Sequence, residues 1–136
     1  MKLRHCALLA LLAGAAQATE IAVIVHPQAG VETLSADEIA QLFLGKSNSF
    51  ANGQVVIPVE QSAGPLRDEF STRALNKSAT AVRAFRAKLQ FTGKAVAPKE
   101  IGSSADVKKF VASNPNSIGY IDKAAVDGSV KAIAHY

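Results

Sequence analysis

The chain has 136 residues, of which 49% are hydrophobic and 19% are charged, and its formal net charge is +4. This composition predicts one compact domain, and it excludes a disordered tail and a multidomain enzyme. The single cysteine, Cys6, excludes a disulfide framework. Two of the basic residues, Lys2 and Arg4, lie in the N-terminal segment described next, and without them the balance is 13 − 11 = +2, so no nucleic-acid partner is expected.

Residues 1–18 have the features of a secretory signal peptide. Two basic residues precede an apolar run over residues 7–13, and Ala16-Gln17-Ala18 supplies a small-x-small cleavage site. The apolar run is shorter than the ~20 residues that span a bilayer, which disfavours a membrane anchor. We therefore expect an exported, periplasmic protein whose residues 19–136 form a single domain, without membrane insertion after cleavage.

The first half of the exported chain predicts a strand, a helix and a second strand. Residues 20–26 are dominated by β-branched residues and predict a buried strand in the middle of the sheet. Ser35 and Glu38 have the spacing of a capping box, so a helix should begin there and end near Gly45. Residues 55–59 predict the second strand.

The stretch over residues 57–70 runs from that strand through a glycine-containing turn into a helix that opens with Pro65 and continues to about Leu75. A helix that begins after such a turn leaves its first backbone N–H groups unpaired, with the positive end of the macrodipole behind them. The stretch therefore predicts a seat for an anion.

Ser78 is a plausible cap for the next, longer helix. Its core stripe is predicted to be Ala81, Val82, Phe85 and Leu89. Arg83, Arg86 and Lys88 then stand on the other sides of the helix, where a solvated face is favoured over a patch for an acidic partner.

The remaining elements are a short strand around Ile101, a helix capped by Ser103 or Ser104, and strands over residues 117–121 and 130–134. The predicted order is strand, helix, strand, helix, helix, strand, helix, strand, strand. Such alternation predicts an α/β domain, in which a mostly parallel or mixed sheet is flanked by helices in three layers.

The exported chain lacks the residue patterns that metal binding and nucleophilic or acid–base catalysis require. The histidines of the exported chain are His26 and His135, with no cysteine and no helical pair of ligands, so no metal is expected. No serine lies in a Gly-x-Ser-x-Gly motif, and the adjacent pairs of carboxylates are explained by helix starts. We therefore expect no enzyme and no cofactor.

The remaining candidates for a functional site are small and hydroxyl residues at two predicted helix starts. They occupy residues 62–64 and 102–104, and Lys46, Arg67 and Lys94 lie near the ends of elements. Backbone N–H groups together with one or two cations can bind an oxyanion.

Three motifs, in order along the chain, resemble those of the periplasmic phosphate-binding proteins of ABC transporters, which are type II periplasmic binding proteins. The matching residues are Ile39, Phe43, Gly45 and Lys46, then Arg67 and Phe70, then Asn114, Pro115, Ile118, Gly119 and Tyr120. The resemblance implies one lobe of that fold, in a short variant, because the segments for a second lobe are absent. It also implies a phosphate or related oxyanion as ligand and a membrane transporter as partner.

The chain departs from that family in the residues that grip phosphate. The resemblance aligns the family's Ser-Gly-Thr with Gly64, Pro65 and Leu66, and its phosphate-binding arginine with Glu60. Pro65 has no N–H to donate, Leu66 has no hydroxyl, and a carboxylate at position 60 repels an anion.

Two hypotheses remain open. The first is an oxyanion-binding protein whose contacts are Ser62, the backbone at Ala63 and Gly64, and Arg67, with Lys46 and Tyr120 at the rim. The second is an interaction module without a ligand, which docks on an envelope complex such as a sensor, a transporter or a motor.

Overall fold

Strands and helices follow one another in the predicted order in this computed structural model, which describes residues 19–93 and 97–136. The predicted leader at residues 1–18 and the candidate Lys94 lie outside the described residues. The elements in chain order are β1 (Ile21–Val25), α1 (Ala36–Leu44), β2 (Ile57–Gln61), α2 (Pro65–Ala74), α3 (Ala79–Phe91), β3 (Lys99–Gly102), α4 (Ser104–Ser113), β4 (Ser117–Asp122), a 3-10 turn (Lys123–Ala125) and β5 (Lys131–His135). None of the helices in the two described ranges is long and apolar enough to cross a membrane.

The five strands of the described chain form one sheet in the order β3-β2-β4-β1-β5. β2 runs parallel to both of its neighbours, whereas β1 runs antiparallel to β4 and β5. The predicted α/β class with a mixed sheet is therefore confirmed, and β1 lies inside the sheet as expected. Because β2 and β3 are parallel neighbours, their carboxyl ends lie at the same edge, and each leads into a helix.

Helices cover both faces of the sheet. On one face, α1, α2 and α3 enclose a buried cluster that contains Phe43, Phe70 and Tyr120. On the other face, α4 contributes Val107 and Val111 to a second buried cluster. Alternate residues of each strand point to opposite faces, so the central strands supply both clusters and the arrangement has three layers.

The predicted start and end of α1 are confirmed. The Ser35 hydroxyl accepts a hydrogen bond from the Glu38 N–H at 3.1 Å, and the Glu38 carboxylate accepts one from the Ser35 N–H at 3.2 Å. Gly45 ends the helix in the left-handed conformation, at φ 87°. By contrast, β2 begins two residues later than predicted, because Val55 is 60% exposed and forms only an isolated bridge with Ser49.

Two predictions for α3 are wrong, one for a residue of the core stripe and one for a residue on the outward sides. Val82 is buried as expected, but Ala81 is exposed, and Arg86 is only 9% exposed. The sequence pattern predicts a solvated position for Arg86. Its side chain lies inside instead, because the guanidinium reaches the carboxylate of Glu60 on β2.

Candidate functional site

A surface groove of about 310 Å³ lies at the carboxyl ends of β2 and β3. The Ser62 N–H donates to the Gly102 carbonyl at 3.0 Å, which joins the two turns that lead into α2 and α4. The groove is lined by Gln61, Ser62, Ala63, Gly64, Pro65, Leu66, Arg67, Gly102 and Ser103. Ligands of open α/β sheets bind outside the carboxyl ends of the strands, so this groove is the candidate site.

The start of α2 faces the groove without a side-chain cap. Gly64 is the N-cap residue and has no side chain, and Pro65 in the first turn has no N–H. The backbone N–H groups that follow have no side-chain cap as a partner, and the positive end of the helix macrodipole lies behind them. The uncapped helix start is therefore present where the sequence predicts it, and the binding of an anion there stays a prediction.

The start of α4, on the other side of the groove, is capped by Asp106 from the first turn of the same helix. The Asp106 carboxylate accepts hydrogen bonds from the Ser103 N–H at 3.1 Å and from the Ser103 hydroxyl at 2.9 Å. These bonds, the backbone one first, hold the pKa of the Asp106 carboxyl below its ordinary value. Of the two predicted caps, Ser103 is therefore the correct one.

Arg67 lies in the groove, but its guanidinium is already paired. Its Nη2 is 3.2 Å from Oε1 of Glu60, and its Nη1 is 3.5 Å from Oε2 of Glu100. The Arg67 side chain is 20% exposed. An anion that enters the groove must therefore compete with two carboxylates for this cation.

A second arginine holds Glu60 from the side of α3. Arg86 Nη1 lies 3.0 Å from each carboxylate oxygen of Glu60, while its Nε and Nη2 donate to the Phe43 carbonyl at 3.1 and 2.7 Å. Glu60 is only 6% exposed. Buried charges require such pairing and hydrogen bonding, and this cluster provides both. Together with Arg67 and Glu100 it contains two cations and two anions, so its net charge is zero.

Tyr120 lies in the core rather than at the rim of the groove, which corrects its predicted position. Its ring is fully buried and stacks on Phe70, with the centroids 3.9 Å apart. Its hydroxyl accepts a hydrogen bond from the Gln61 N–H at 3.4 Å. Burial first, and then the nearby carboxylate of Glu60, raise the pKa of Tyr120. The hydroxyl is therefore a neutral structural group.

Lys46 also lies away from the groove lining. It follows α1, and its Nζ is 5.4 Å from the centroid of the Phe85 ring, so its predicted rim position is corrected as well. The predicted contacts that do line the groove are Ser62, Ala63, Gly64 and Arg67. As contacts to a ligand they stay predictions.

Gln61 holds the floor of the groove through hydrogen bonds to two other elements, a role that the sequence does not predict. Its side-chain amide donates to the Ser104 hydroxyl at 2.8 Å and to the Tyr120 carbonyl at 3.2 Å. The same Ser104 hydroxyl accepts a hydrogen bond from the Asp122 N–H at 3.1 Å. A polar residue at the end of an apolar strand carries no local signal of burial, because its partners lie on α4 and β4.

Among the residues that the structure describes, those that line the groove include no histidine, aspartate or glutamate that could act as a base on Ser62. Within residues 19–93 and 97–136, no three His, Cys, Asp or Glu side chains form a group that could hold a metal ion. What the lining offers is backbone N–H groups, hydroxyls and one paired arginine.

No family model and no curated protein matches this sequence. Among solved structures, one similar protein comes from Clostridium perfringens and is described as a phosphate ABC transporter substrate-binding protein with bound phosphate. It is 24% identical to this chain, and the TM-score is 0.67 over 85% of this chain and 45% of that protein. An ABC-type phosphate transport receptor from Vibrio cholerae is 20% identical, and PstS from Borrelia burgdorferi is 11% identical. Both give a TM-score of 0.63 over 85% of this chain and 47% of their own. This chain has their fold.

The chain spans about half the length of those three neighbours, covering 45% to 47% of each. This coverage fits the single lobe that the resemblance implies. The neighbours are described as substrate-binding proteins or receptors rather than enzymes. Since one fold carries many functions, the function of this chain has to be argued from its own groove.

Proposed function

We propose that this chain is an exported, periplasmic module with the fold of a phosphate-binding protein. It docks on a membrane transporter or another envelope protein, holds no small ligand of its own and catalyses no reaction. The observation that carries this proposal is the pairing of Arg67, which lines the groove, and of Arg86, which shares its carboxylate partner from the interior. Arg67 is bound by Glu60 and Glu100, and Arg86 is bound by Glu60. A phosphate ion is recognised by charge-assisted donors that are free to bind it, and these cations are already engaged.

The extent of the chain supports the same conclusion. Binding sites for small molecules bury about 70 to 90% of the ligand surface. Two turns of the chain form the groove. The chain covers only about half the length of its structural neighbours, for example 45% of the Clostridium perfringens protein. A second protein surface is therefore needed to enclose anything bound there.

Calorimetric titration of the purified protein with phosphate, sulfate and small carboxylates tests the proposal. We expect no heat at millimolar ligand, and we expect pull-down from envelope extracts to recover one stable partner. Arg67→Ala should leave that association unchanged, because Arg67 is turned toward Glu60 and Glu100. A monomer with micromolar affinity for phosphate would rule the proposal out.

The second candidate is an oxyanion-binding component of a phosphate ABC transporter. The uncapped start of α2 favours it, as does the likeness to a structure that contains phosphate. Its contacts would be Ser62, the backbone at Ala63 and Gly64, and Arg67 once it is released from Glu60. On this hypothesis the titration gives heat with phosphate, and Ser62→Ala weakens it, whereas Ser113→Ala, an exposed serine at the far end of α4, does not.

A further inference from the structure

The middle of the chain carries charge of one sign only. All aspartates and glutamates lie outside residues 70–99, where every charged residue is basic. These basic residues are Arg73, Lys77, Arg83, Arg86, Lys88, Lys94 and Lys99. Within this range Arg86 is buried against Glu60, and Arg73 pairs with Glu69 at 3.3 Å. Of the other described basic residues, Arg83 and Lys88 lie on α3, Lys77 lies just before it, and Lys99 lies on β3.

Arg83 and Lys88 stand exposed on α3. No carboxylate of residues 19–93 and 97–136 lies within ion-pair distance of either one. Solvated helix faces usually carry both signs, which pair or alternate along the helix. Arg83 and Lys88 therefore have no such compensation from the part of the chain that the structure describes.

Two further cations crowd the edge of the same helix. The ammonium groups of Lys46 and Lys77 lie 5.4 and 5.1 Å from the centroid of the Phe85 ring. Each gains a cation–π contact, but two like charges beside one ring repel each other. An acidic group that approached from outside would relieve this repulsion.

The outward side of α3 also presents a free aromatic ring. Successive helical residues turn by about 100°, so Ala84, Ala87 and Phe91 lie opposite the buried Val82 and Arg86. Phe91 is 95% exposed. Aromatic side chains, Phe among them, and arginine are enriched at protein interfaces relative to the rest of a protein surface.

We infer that this surface is the docking site for a partner protein with an acidic face. The surface, called here the basic α3 face, consists of Arg83, Ala84, Ala87, Lys88 and Phe91, with Lys46 and Lys77 at its edge. The inference rests on the proposed docking function and adds the place and the chemistry of the contact. The alanines let a partner approach closely, Phe91 supplies an apolar anchor, and the flanking cations select acidic groups.

An acidic protein fits this face better than an anionic membrane does. A helix that lies in a lipid interface inserts a broad apolar side with several large residues. In α3 the apolar side chains Val82 and Phe85 pack against the protein core instead. On the outward side Phe91 is the one large apolar residue, which is too little for stable insertion.

Position-specific photo-crosslinking tests the inference. The full chain is produced in cells of its source with benzoylphenylalanine in place of Ala87, or in place of the exposed Ala105 on α4 as the control. We expect an adduct with one acidic-faced envelope protein at position 87 and none at position 105. The adduct should be lost with Lys88→Glu and kept with Lys109→Glu, an exposed lysine of α4. Its yield in envelope extracts should fall as salt rises.

The other outcomes separate this inference from the docking function itself. An adduct at position 105 but not at 87 overturns the basic α3 face and leaves docking in place. An adduct at 87 that survives Lys88→Glu together with Arg83→Glu overturns the acidic chemistry of the partner. Binding of the purified protein to phosphatidylglycerol vesicles that is lost with Lys88→Glu assigns the face to membrane and overturns the inference. No protein adduct at either position overturns the face and leaves docking in place if pull-down still recovers a partner; if pull-down recovers none, both the face and the docking function are overturned.

Discussion

Arg86 Nη1 lies 3.0 Å from both carboxylate oxygens of Glu60, although the two residues are 26 positions apart in the sequence. The other guanidinium nitrogens of Arg86 donate to the carbonyl of Phe43 near the end of α1. One buried side chain therefore joins α3 to β2 and to α1. It also fixes Glu60 in the position from which that carboxylate neutralises Arg67 at the groove.

Loss of Arg86 is expected to destabilise the fold strongly. Arg86→Leu leaves the Glu60 carboxylate buried with Arg67 as its remaining partner and takes the donors away from the Phe43 carbonyl. We expect the free energy of unfolding, measured in urea, to fall by about 3 to 5 kcal/mol. The exposed Arg83 on the same helix is the control, and Arg83→Leu should change stability by less than about 0.5 kcal/mol. Equal effects of the two substitutions would contradict a buried role for Arg86.

Removal of the Glu60 side chain is expected to create a phosphate site. Glu60→Ala frees Arg67 and Arg86 from their shared carboxylate, and Arg67 lines the groove at the uncapped start of α2. The variant should be less stable than the natural protein, but inorganic phosphate should raise its thermal midpoint, because a ligand at 100 times its Kd adds about 2.7 kcal/mol. The midpoint of the natural protein should not respond.

Glu100→Ala is the matched control for that experiment. It removes the more exposed partner of Arg67 and leaves Glu60 in place, so we expect no response to phosphate. A response in the Glu100 variant but not in the Glu60 variant would mean that Glu60 is not the group that excludes anions.

A larger side chain at Gly119 is expected to destabilise the domain, because α4 packs directly on this residue. A Cβ at this position would lie 2.7 Å from Cγ1 of Val107 and 3.3 Å from Cγ2 of Val111. Gly119→Ala should therefore lower the free energy of unfolding by about 1 to 3 kcal/mol. Gly128→Ala is the control, since a Cβ there meets no atom within 4 Å. Urea unfolding of both variants checks this, and an unchanged stability of Gly119→Ala would argue against the observed packing of α4 on β4.

The cap of α4 is expected to make the domain sensitive to acid. Hydrogen bonds from Ser103 hold the pKa of Asp106 below its ordinary value of 3.8, so the unfolded chain takes up this proton more readily than the folded chain. The stabilisation is therefore complete well above pH 3.8 and is lost as the pH falls through the folded pKa. Asp106→Asn should lower the free energy of unfolding at pH 7, and the difference from the natural protein should shrink in acid. A difference that does not vary with pH would remove Asp106 from this role.

The sequence by itself determined the features that depend on residues close together in the chain. The capping box of Ser35 with Glu38, the left-handed Gly45 and the opening of α2 at Pro65 were all predicted correctly. Each of them follows from hydrogen bonds or backbone angles within one helical turn. The order of elements, and with it the α/β class, followed from these signals and from the hydrophobic periods.

Only the tertiary structure decided which side chains meet at the groove. Helical periodicity placed Arg86 outside, because a periodic pattern treats every charge as solvated, whereas this guanidinium lies in the interior opposite Glu60. Tyr120 moved from the expected rim into the core because β4 runs beside β1, inside the sheet. Both outcomes depend on contacts between distant segments, in which a buried charge or hydroxyl is stable only if another element supplies its partner. Local sequence carries no record of that partner.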